Sequence, residues 1–365
     1  MALNILVVDD SPFFQKLLAE MINEHPRLQV VGFANNGQEA IEQVKSLKPD
    51  LVTMDYEMPL MDGVTAVRLI MEENPLPILM LSSMTFPDAK ITIDALQAGA
   101  ADFITKNFSA ISNKSEAITQ HLHKTLLAIG ENILQSKNAL SVSSEQSPPK
   151  RNDLSGVSVS GNTSNIDRLG KDSLFESSGK PKIVAIGAST GGPAALISML
   201  KEIPASFLLP IVIVQHMPKN FTLAFSERLN RQCNIEVKQA SDGDKLLPGR
   251  ALLAPGGKQL IINKKDATRV SVIDSDGEVN YKPCIDISFA SLSNTYGATT
   301  LAIVLTGMGN DGCKGAKLLK AQRATVWTQD KDSCVVYGMP MAVDQARLSN
   351  ASLTLSNMST YLSAL

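Results

Sequence analysis

Short apolar runs alternate with segments of helical periodicity over the first 106 residues of the chain. Strands are predicted where the runs occur, at Ile5–Val8, Val30–Phe33, Leu51–Met54, Ile78–Leu81 and Asp102–Thr105. Helices are predicted between them, at Phe13–Ile22, Gln38–Leu47, Val64–Glu73 and Lys90–Ala98. Apolar strands joined by helices indicate a parallel sheet covered on both faces, which is a doubly wound α/β fold. Functional residues are therefore expected at the carboxyl ends of these strands.

The rest of the chain is predicted to contain a long helix, a linker and a second α/β domain. Apolar residues recur at helical spacing from about Ser115 to Ser136. Between about 141 and 180, serine supplies roughly a quarter of the positions and aromatic residues nearly vanish, which is typical of a flexible linker. We therefore divide the chain into a domain at 1–138, a linker at 139–180 and a domain at 181–365.

The second domain is predicted to be Rossmann-like, with a mainly parallel sheet. Its strands are expected at Ile183–Gly187, Pro210–Val214, Ala251–Ala254, Gln259–Ile262, Ser271–Ile273, Thr300–Leu305 and Thr325–Thr328, and the three in the middle look more like hairpins. Helices are expected at about 192–202, 223–230 and 312–321.

Composition and charge narrow the class of protein. The 365 residues are 44% hydrophobic and 19% charged, which supplies two cores and excludes wholesale disorder. The net charge of −2 argues against general attraction to nucleic acid, although residues 1–106 carry 7 basic and 15 acidic side chains and leave a net +6 to the rest. No apolar run approaches the ~18 residues that span a bilayer, so a cytoplasmic protein without membrane insertion is expected.

The four cysteines are spaced too widely to form a CxxC pair, and no histidine lies close to them in the sequence. Neither a zinc site nor a redox dithiol is therefore predicted. Cys233, Cys284, Cys313 and Cys334 are interpreted as reduced thiols in the core.

Acidic residues follow two strands of the first domain. Asp9 and Asp10 come after the first strand, Asp55 after the third and Lys106 after the fifth. Carboxylates crowded at one edge suit Mg²⁺, and Asp55 could then attack phosphorus to form an acyl phosphate stabilised by Lys106. Ser82, after the fourth strand, could hydrogen-bond that phosphate. The alternative is that such residues only cap helices, as Ser11 before Pro12 is expected to do.

Four motifs of this domain together resemble the response-regulator receiver domain along its full length: VVDDSPFFQKLL, LVTMDYEMPLMDG, LMLSSMT and AGAADFITK. The resemblance implies a flavodoxin-like fold in which Asp55 is the phospho-acceptor and Asp9, Asp10 and Asp55 organise Mg²⁺. It further implies that Ser82 and Phe103 are switch positions and that Lys106 contacts the phosphate. Asn107 departs from the proline that receivers usually carry there.

The second domain contains a G-x-S-x-G turn centred on Ser189 between a predicted strand and a predicted helix. Such a turn exposes a hydroxyl at a helix N-terminus, where free backbone N–H groups can bind an oxyanion. A glycine-rich phosphate-binding turn is the competing interpretation.

A serine nucleophile needs a base and an orienting carboxylate. His216 is the only histidine of this domain and follows a buried strand, so its Nε2 is expected to take the hydroxyl proton. Asp311, in a glycine-rich loop after another strand, is favoured as the carboxylate over Asp286. Asp311 could instead cap the helix that begins near Gly312.

Five motifs of this domain resemble the catalytic domain of the chemotaxis protein-glutamate methylesterases and glutamine deamidases: IGASTGGPAAL, VQHMPKNFTLAFSERLN, APGG, LTGMGNDG and QDKDSCVVYGMPMA. The resemblance implies Ser189 as nucleophile, His216 as base and Asp311 as orienting residue, with Thr190 and Met308 lining the oxyanion region. Gln259 and Cys284 depart from the histidine and serine that are common there. We expect both to affect substrate contacts without touching the triad.

The resemblance also implies what the protein acts on and what controls it. The substrates would be glutamate methyl esters and glutamines of chemoreceptors, and the hydrolase site would need no cofactor. The unphosphorylated receiver would pack over the catalytic face and block it, and phosphorylation of Asp55 by a histidine kinase would remove that block. Protein contacts would recruit the enzyme to membrane receptor arrays. Two alternatives remain at this point: a phosphorylation-controlled binding platform without catalysis, and a DNA-binding output domain, which the lack of a basic helix-turn-helix pattern disfavours.

Overall fold

The structure is a computed structural model that describes residues 2–82, 86–106, 115–143, 180–275 and 279–365. Asn107 and most of the predicted linker, residues 144–179, lie outside the described residues. The long helix runs through the predicted boundary at residue 138 and ends at Ser143. No helix in the described ranges combines the length and the apolarity needed to cross a membrane.

The N-terminal domain is a five-stranded parallel sheet with helices on both faces, so the predicted doubly wound α/β fold is confirmed. Its strands are β1 (Leu3–Val8), β2 (Leu28–Ala34), β3 (Leu51–Asp55), β4 (Ile78–Ser82) and β5 (Asp102–Thr105). Its helices are α1 (Pro12–Asn23), α2 (Gly37–Leu47), α3 (Gly63–Glu73), α4 (Phe86–Ala98) and α5 (Glu116–Ser143). The strand order β2-β1-β3-β4-β5 places the ends of β1 and β3 side by side.

Local sequence explains where the helices of this domain begin. Ser11 accepts a hydrogen bond from the backbone N–H of Phe14 and Pro12 occupies the first turn of α1, so the predicted cap is confirmed. Asn36 and Asp62 cap α2 and α3 in the same way. Every residue of β3 and β4 is buried because helices cover both faces of the sheet.

The C-terminal domain has a seven-stranded parallel sheet in the order β14-β13-β12-β6-β7-β9-β8, which agrees with the predicted α/β class. The strands are β6 (Ile183–Ala188), β7 (Ile211–Gln215), β8 (Glu236–Gln239), β9 (Arg250–Leu253), β10 (Gln259–Ile262), β11 (Val270–Ile273), β12 (Thr300–Val304), β13 (Thr325–Gln329) and β14 (Ala351–Leu353). The helices are α6 (Gly192–Leu200), α7 (Lys219–Gln232), α8 (Ile285–Thr295), α9 (Cys313–Ala321), α10 (Met339–Gln345) and α11 (Leu355–Ser363).

The middle of this domain is hairpin-like only in part. β10 and β11 form an antiparallel hairpin outside the main sheet. The expectation of a hairpin at 251–254 is wrong, because β9 pairs in parallel with both β7 and β8. The chain runs from β6 towards one edge and returns to β12 on the other side of β6, so the strand order reverses beside β6. Ligand sites of open α/β sheets form at such a point.

The two domains pack against each other through α4 and α7. Ala89 and Ile93 of α4 belong to the same buried apolar cluster as residues of α6 and α7. The ring of Phe103 stacks on that of Phe221, with centroids 4.5 Å apart. A second contact places Val336 of the C-terminal domain in the apolar cluster of β1, α1 and α5.

Candidate active site and acidic pocket

The G-x-S-x-G turn holds Ser189 between β6 and α6. Gly191 has φ +75°, and a Cβ there would lie 2.6 Å from Val335. A Cβ on Gly187 would lie 2.6 Å from Ile285, so close packing requires both glycines, and the positive φ adds a conformational requirement at Gly191. The backbone N–H of Gly192 donates to the carbonyl of Ser189 at 2.7 Å and closes the turn.

The side chain of His216 lies between Ser189 and Asp311. Its Nδ1 is 3.1 Å from Ser189 Oγ, and its Nε2 is 2.8 Å from Asp311 Oδ2. The expectation that Nε2 faces the serine is therefore wrong. His216 directly follows β7. Ser189 follows the adjacent strand β6, and Asp311 follows β12, one strand further from β7. Nδ1, the ring nitrogen nearer the backbone of His216, therefore faces the nearer partner, Ser189. The tautomer with a proton on Nε2 leaves the Nδ1 lone pair towards the hydroxyl.

Asp311 is buried and accepts hydrogen bonds from the first turn of α8. Backbone N–H groups of Ile285 and Asp286 donate to it at 2.7 and 3.0 Å. Burial acts to raise the pKa of Asp311, but the hydrogen bonds from His216 and these backbone groups outweigh it and lower the pKa to about 2. The carboxylate is therefore ionised at neutral pH and fixed in position beside His216.

Neither alternative for Asp311 agrees with the geometry. The carboxylate of Asp286, the rival, accepts from the backbone N–H of Gly315 instead of facing His216. The N-cap residue of α9 is Gly312 and not Asp311, although the backbone N–H of Gly312 donates to Asp311 Oδ1 at 3.0 Å.

Of the two departures from the family pattern, Cys284 contacts the triad directly, contrary to expectation, whereas Gln259 does not touch it, as expected. Cys284 donates its thiol to Asp311 Oδ1 at 3.3 Å. Gln259 is buried and contacts the segment just before α8, where its amide donates to the carbonyl of Tyr281 and accepts from the backbone N–H of Cys284. Burial and the nearby Asp311 carboxylate raise the pKa of Cys284 to about 12, which keeps it a neutral thiol.

Tyr281 is a residue of this site that sequence reasoning missed. Its ring stacks on the imidazole of His216 with centroids 4.1 Å apart and planes at 6°. It lies in an irregular segment between β11 and α8, where no strand end or glycine-rich turn signals a functional position.

A cavity of about 480 Å³ lies in front of Ser189 and His216, between the two domains. Thr190 and Met308 line it from the C-terminal domain. Gly307 approaches Ser189 so closely that a Cβ on it would lie 2.7 Å from the serine Cβ. Residues Asp102 to Thr105 line the same cavity from the N-terminal domain, and Asp102 hydrogen-bonds the side chain of Thr190.

A second group of charged residues meets at the carboxyl ends of β1, β3 and β5. Carboxylate oxygens of Asp9, Asp10 and Asp55 lie within 4.8 Å of one another. Lys106 Nζ lies 2.7 Å from Asp9 Oδ2 and 2.8 Å from Asp55 Oδ2, and both ion pairs are buried. Three carboxylates against one ammonium leave this pocket with excess negative charge, and the all-oxygen donor set fits Mg²⁺.

Burial is the main reason that the pKa of Asp55 is raised, to about 6, and the Lys106 ammonium limits the rise. Ser82 Oγ, at the end of β4, lies 2.6 Å from Thr92 Oγ1 on α4. Phe103 faces the C-terminal domain, where it stacks on Phe221. The predicted switch positions thus lie on elements that connect the acidic pocket to the contact between the domains.

The four cysteines are free thiols, and two of them lie in the core as predicted. Cys284 and Cys334 are buried, whereas Cys233 and Cys313 are partly exposed.

Comparison with known proteins gives consistent matches over the whole chain. The model of the CheB methylesterase family matches residues 184–362, and that of the response regulator receiver domain matches residues 5–117. A protein-glutamate methylesterase/protein-glutamine glutaminase of Saccharophagus degradans is 49% identical over 360 residues, 98% of each chain. A protein of the same name from Pseudomonas syringae pv. syringae is 45% identical over 383 residues, 99% of each chain.

Proposed function

The chain belongs to the CheB methylesterase family and carries a response regulator receiver domain, and from this premise we propose that it is a receiver-controlled protein-glutamate methylesterase and protein-glutamine glutaminase. The observation that carries the proposal is the hydrogen-bonded chain Ser189–His216–Asp311 at the floor of a cavity that the receiver borders. The substrates are γ-methyl esters of glutamate and side-chain amides of glutamine in chemoreceptors.

The reaction is acyl transfer through Ser189. Its Oγ attacks the γ-carbonyl carbon while His216 Nδ1 takes the hydroxyl proton. The tetrahedral intermediate collapses, the C–O or C–N bond breaks, and Nδ1 returns the proton to methoxide or to the amine, so methanol or ammonia leaves. Water then attacks the carbonyl carbon of the glutamyl ester of Ser189 while Nδ1 takes one of its protons. The bond between that carbon and Ser189 Oγ breaks, Nδ1 returns the proton to Oγ, and the γ-carboxyl group is released and ionises.

Asp311 keeps His216 in the productive tautomer throughout. Its ionised carboxylate accepts a hydrogen bond from Nε2–H and stabilises the imidazolium that forms in each half-reaction. The oxyanion develops in the region of Thr190 and Met308, next to the N-terminus of α6, where the helix dipole favours negative charge. The close approach of Gly307 to Ser189 supports this placement.

The acidic pocket is the phosphorylation site, with Asp55 as the acceptor and a histidine kinase as the donor. Asp9, Asp10 and Asp55 would hold Mg²⁺, which supplies charge neutralisation and a ligand position for a phosphate oxygen. Lys106 reaches Asp55 directly and would pair with the phosphate.

The receiver controls access to Ser189. Ser82 hydrogen-bonds with Thr92 of α4, and α4 packs on α7 of the catalytic domain. A phosphate on Asp55 that takes the Ser82 hydroxyl would remove its bond to Thr92 and loosen the side of the receiver that contacts the catalytic domain. The enzyme acts at membrane receptor arrays, to which protein contacts recruit it.

Methanol release from a methylated chemoreceptor fragment tests the proposal. We expect release by the wild type after treatment with acetyl phosphate and Mg²⁺, and none by Ser189→Ala. Acid quenching during turnover, followed by peptide mass analysis, should reveal a glutamyl adduct on Ser189. A phosphorylated wild type that binds the receptor fragment without releasing methanol would favour a binding platform and overturn the esterase proposal.

A further inference from the structure

One short segment supports two members of the triad at once. The carbonyl of Tyr281 and the backbone N–H of Cys284 mark its ends, and α8 follows directly. Tyr281 stacks on the His216 ring at its face, whereas Cys284 and the first turn of α8 hydrogen-bond Asp311. The position of this segment therefore determines both the plane of the imidazole and the place of the carboxylate.

Gln259 joins the two ends of the segment with a single side chain. Its Nε2 donates to the Tyr281 carbonyl at 2.9 Å, and its Oε1 accepts from the Cys284 N–H at 2.7 Å. Gln259 is only 1% exposed, so these backbone groups have little access to water as substitute partners. It stands at the start of the β10–β11 hairpin and does not line the cavity in front of Ser189.

We propose that Gln259 is a positioning residue for hydrolysis, acting through Tyr281 on His216 and through Cys284 on Asp311. An imidazole stacked at 6° cannot rotate about its Cβ–Cγ bond without displacing the Tyr281 ring. The Gln259 amide bonds the backbone of Tyr281 and so keeps its ring stacked on the imidazole. His216 Nδ1 therefore stays aligned with Ser189 and Nε2 with Asp311. This inference rests on the proposed function, because it concerns the same triad.

Other bonds hold the segment in the fold, so a Gln259 variant is expected to remain folded. The backbone N–H of Gly257 donates to the carbonyl of Lys282 at 2.8 Å, and Ser288 Oγ donates to the carbonyl of Leu260 at 2.6 Å. Loss of the Gln259 bonds therefore shifts the segment without detaching it. Misplacement on the scale of 1 Å is enough to lower an enzymatic rate about 10²-fold.

The test compares Gln259→Leu with Asn263→Leu in the full chain after treatment with acetyl phosphate and Mg²⁺. Asn263 lies just beyond β10 and its amide bonds Ser271, away from Tyr281, so it provides a matched amide-to-leucine control on the same hairpin. We expect Gln259→Leu to lower kcat for methanol release about 10²-fold with KM unchanged, and Asn263→Leu to match the wild type. A loss confined to KM, or a kcat equal to that of the control, would overturn the inference.

Two further variants separate positioning from a general structural role. Gln259→Glu can donate to the Tyr281 carbonyl only when its carboxyl is protonated, so its kcat relative to wild type should fall as pH rises from about 5 to about 8. Tyr281→Phe keeps the stacked ring and should retain about tenfold more kcat than Tyr281→Leu. A constant ratio for Gln259→Glu, or equal rates for the two Tyr281 variants, would contradict the proposed route.

Labelling of Ser189 by a fluorophosphonate distinguishes failure of this inference from failure of the proposed function. The probe needs an activated serine but no receptor substrate. If the wild type labels without hydrolysing the ester, the proposed function fails, and slower labelling of Gln259→Leu still supports the positioning role. Equal labelling of wild type and Gln259→Leu would overturn that role, and a wild type that neither labels nor hydrolyses would overturn both.

Discussion

Reversing one charge across the contact between α4 and α7 should activate the unphosphorylated protein. Arg228 Nη2 on α7 lies 3.1 Å from Asp94 Oδ1 on α4, and Arg228 also donates to Gln97 of α4. Asp94→Arg removes this ion pair and places two guanidinium groups against each other. The receiver should then leave the catalytic face more often, because only the closed arrangement contains the repulsive pair.

The size of the effect follows from the exposure of the two side chains. Asp94 is 48% exposed and Arg228 is 29% exposed, so the ion pair contributes about 0.2–1 kcal/mol, and the repulsion that replaces it costs a similar amount. A total of about 0.4–2 kcal/mol raises the ratio of open to closed protein about 2- to 30-fold. Methanol release without acetyl phosphate should rise by that factor while the open form is a minority, and the rate at saturating phosphorylation should not change.

The double variant Asp94→Arg/Arg228→Asp is the rescue. It restores an ion pair of opposite polarity, so its basal rate should return towards that of the wild type. Glu73→Arg is the matched control, because it breaks the 2.6 Å ion pair with Lys45 inside the receiver without touching the contact between the domains. Equal basal rates for Asp94→Arg and Glu73→Arg, or a double variant as active as the single one, would refute the reasoning.

Four further outcomes are expected. Asp311→Asn, which loses the charge beside the imidazole, should lower kcat of the phosphorylated enzyme about 10⁴-fold, and a rate near wild type would remove Asp311 from the triad. Cys284→Ser keeps a donor to the orienting carboxylate whereas Cys284→Ala loses it, so the serine variant should exceed the alanine variant about 2- to 10-fold in kcat, and the reverse order would contradict the contact. Asp10→Asn should weaken Mg²⁺-dependent phosphorylation by acetyl phosphate, measured by intact mass, and undiminished labelling would exclude it from the metal site. Burial raises the pKa of Asp102 to about 6. Its contribution to the stability of the closed arrangement is therefore present below the ordinary pKa of an aspartate and is lost as pH rises through about 6. Asp102→Asn should lower the rate of methanol release by the unphosphorylated protein at pH 7, and a higher rate would reverse the assigned sign.

Strand periodicity predicted the parts of the fold that are buried and regular. β3 and β4 of the receiver, and β6 and β7 beside Ser189, are buried along their whole length, because helices cover both faces of their sheets. β8 and β14 were missed, since they are short edge strands with few apolar residues. α8 was missed because its sequence is rich in β-branched and hydroxyl-bearing residues that favour helices weakly.

The residues that meet at the site were predictable because parallel strands end at one edge. Ser189, His216 and Asp311 each follow a strand of the same sheet, and the structure brings them within hydrogen-bond distance. The orientation of the imidazole was not predictable, because it depends on which neighbouring strand each partner follows. Tyr281 and Gln259 come from an irregular segment and a hairpin, whose positions only tertiary packing determines.

The rate of methanol release from a methylated chemoreceptor fragment, before and after acetyl phosphate and Mg²⁺, tests most directly whether phosphorylation of Asp55 exposes the Ser189 site. Wild type, Asp55→Asn and Ser189→Ala belong in the same assay. The account predicts a low rate that rises on phosphorylation in the wild type, a low rate without a rise in Asp55→Asn, and no release in Ser189→Ala. A wild-type rate that does not change while intact mass shows a phosphorylated receiver would contradict it.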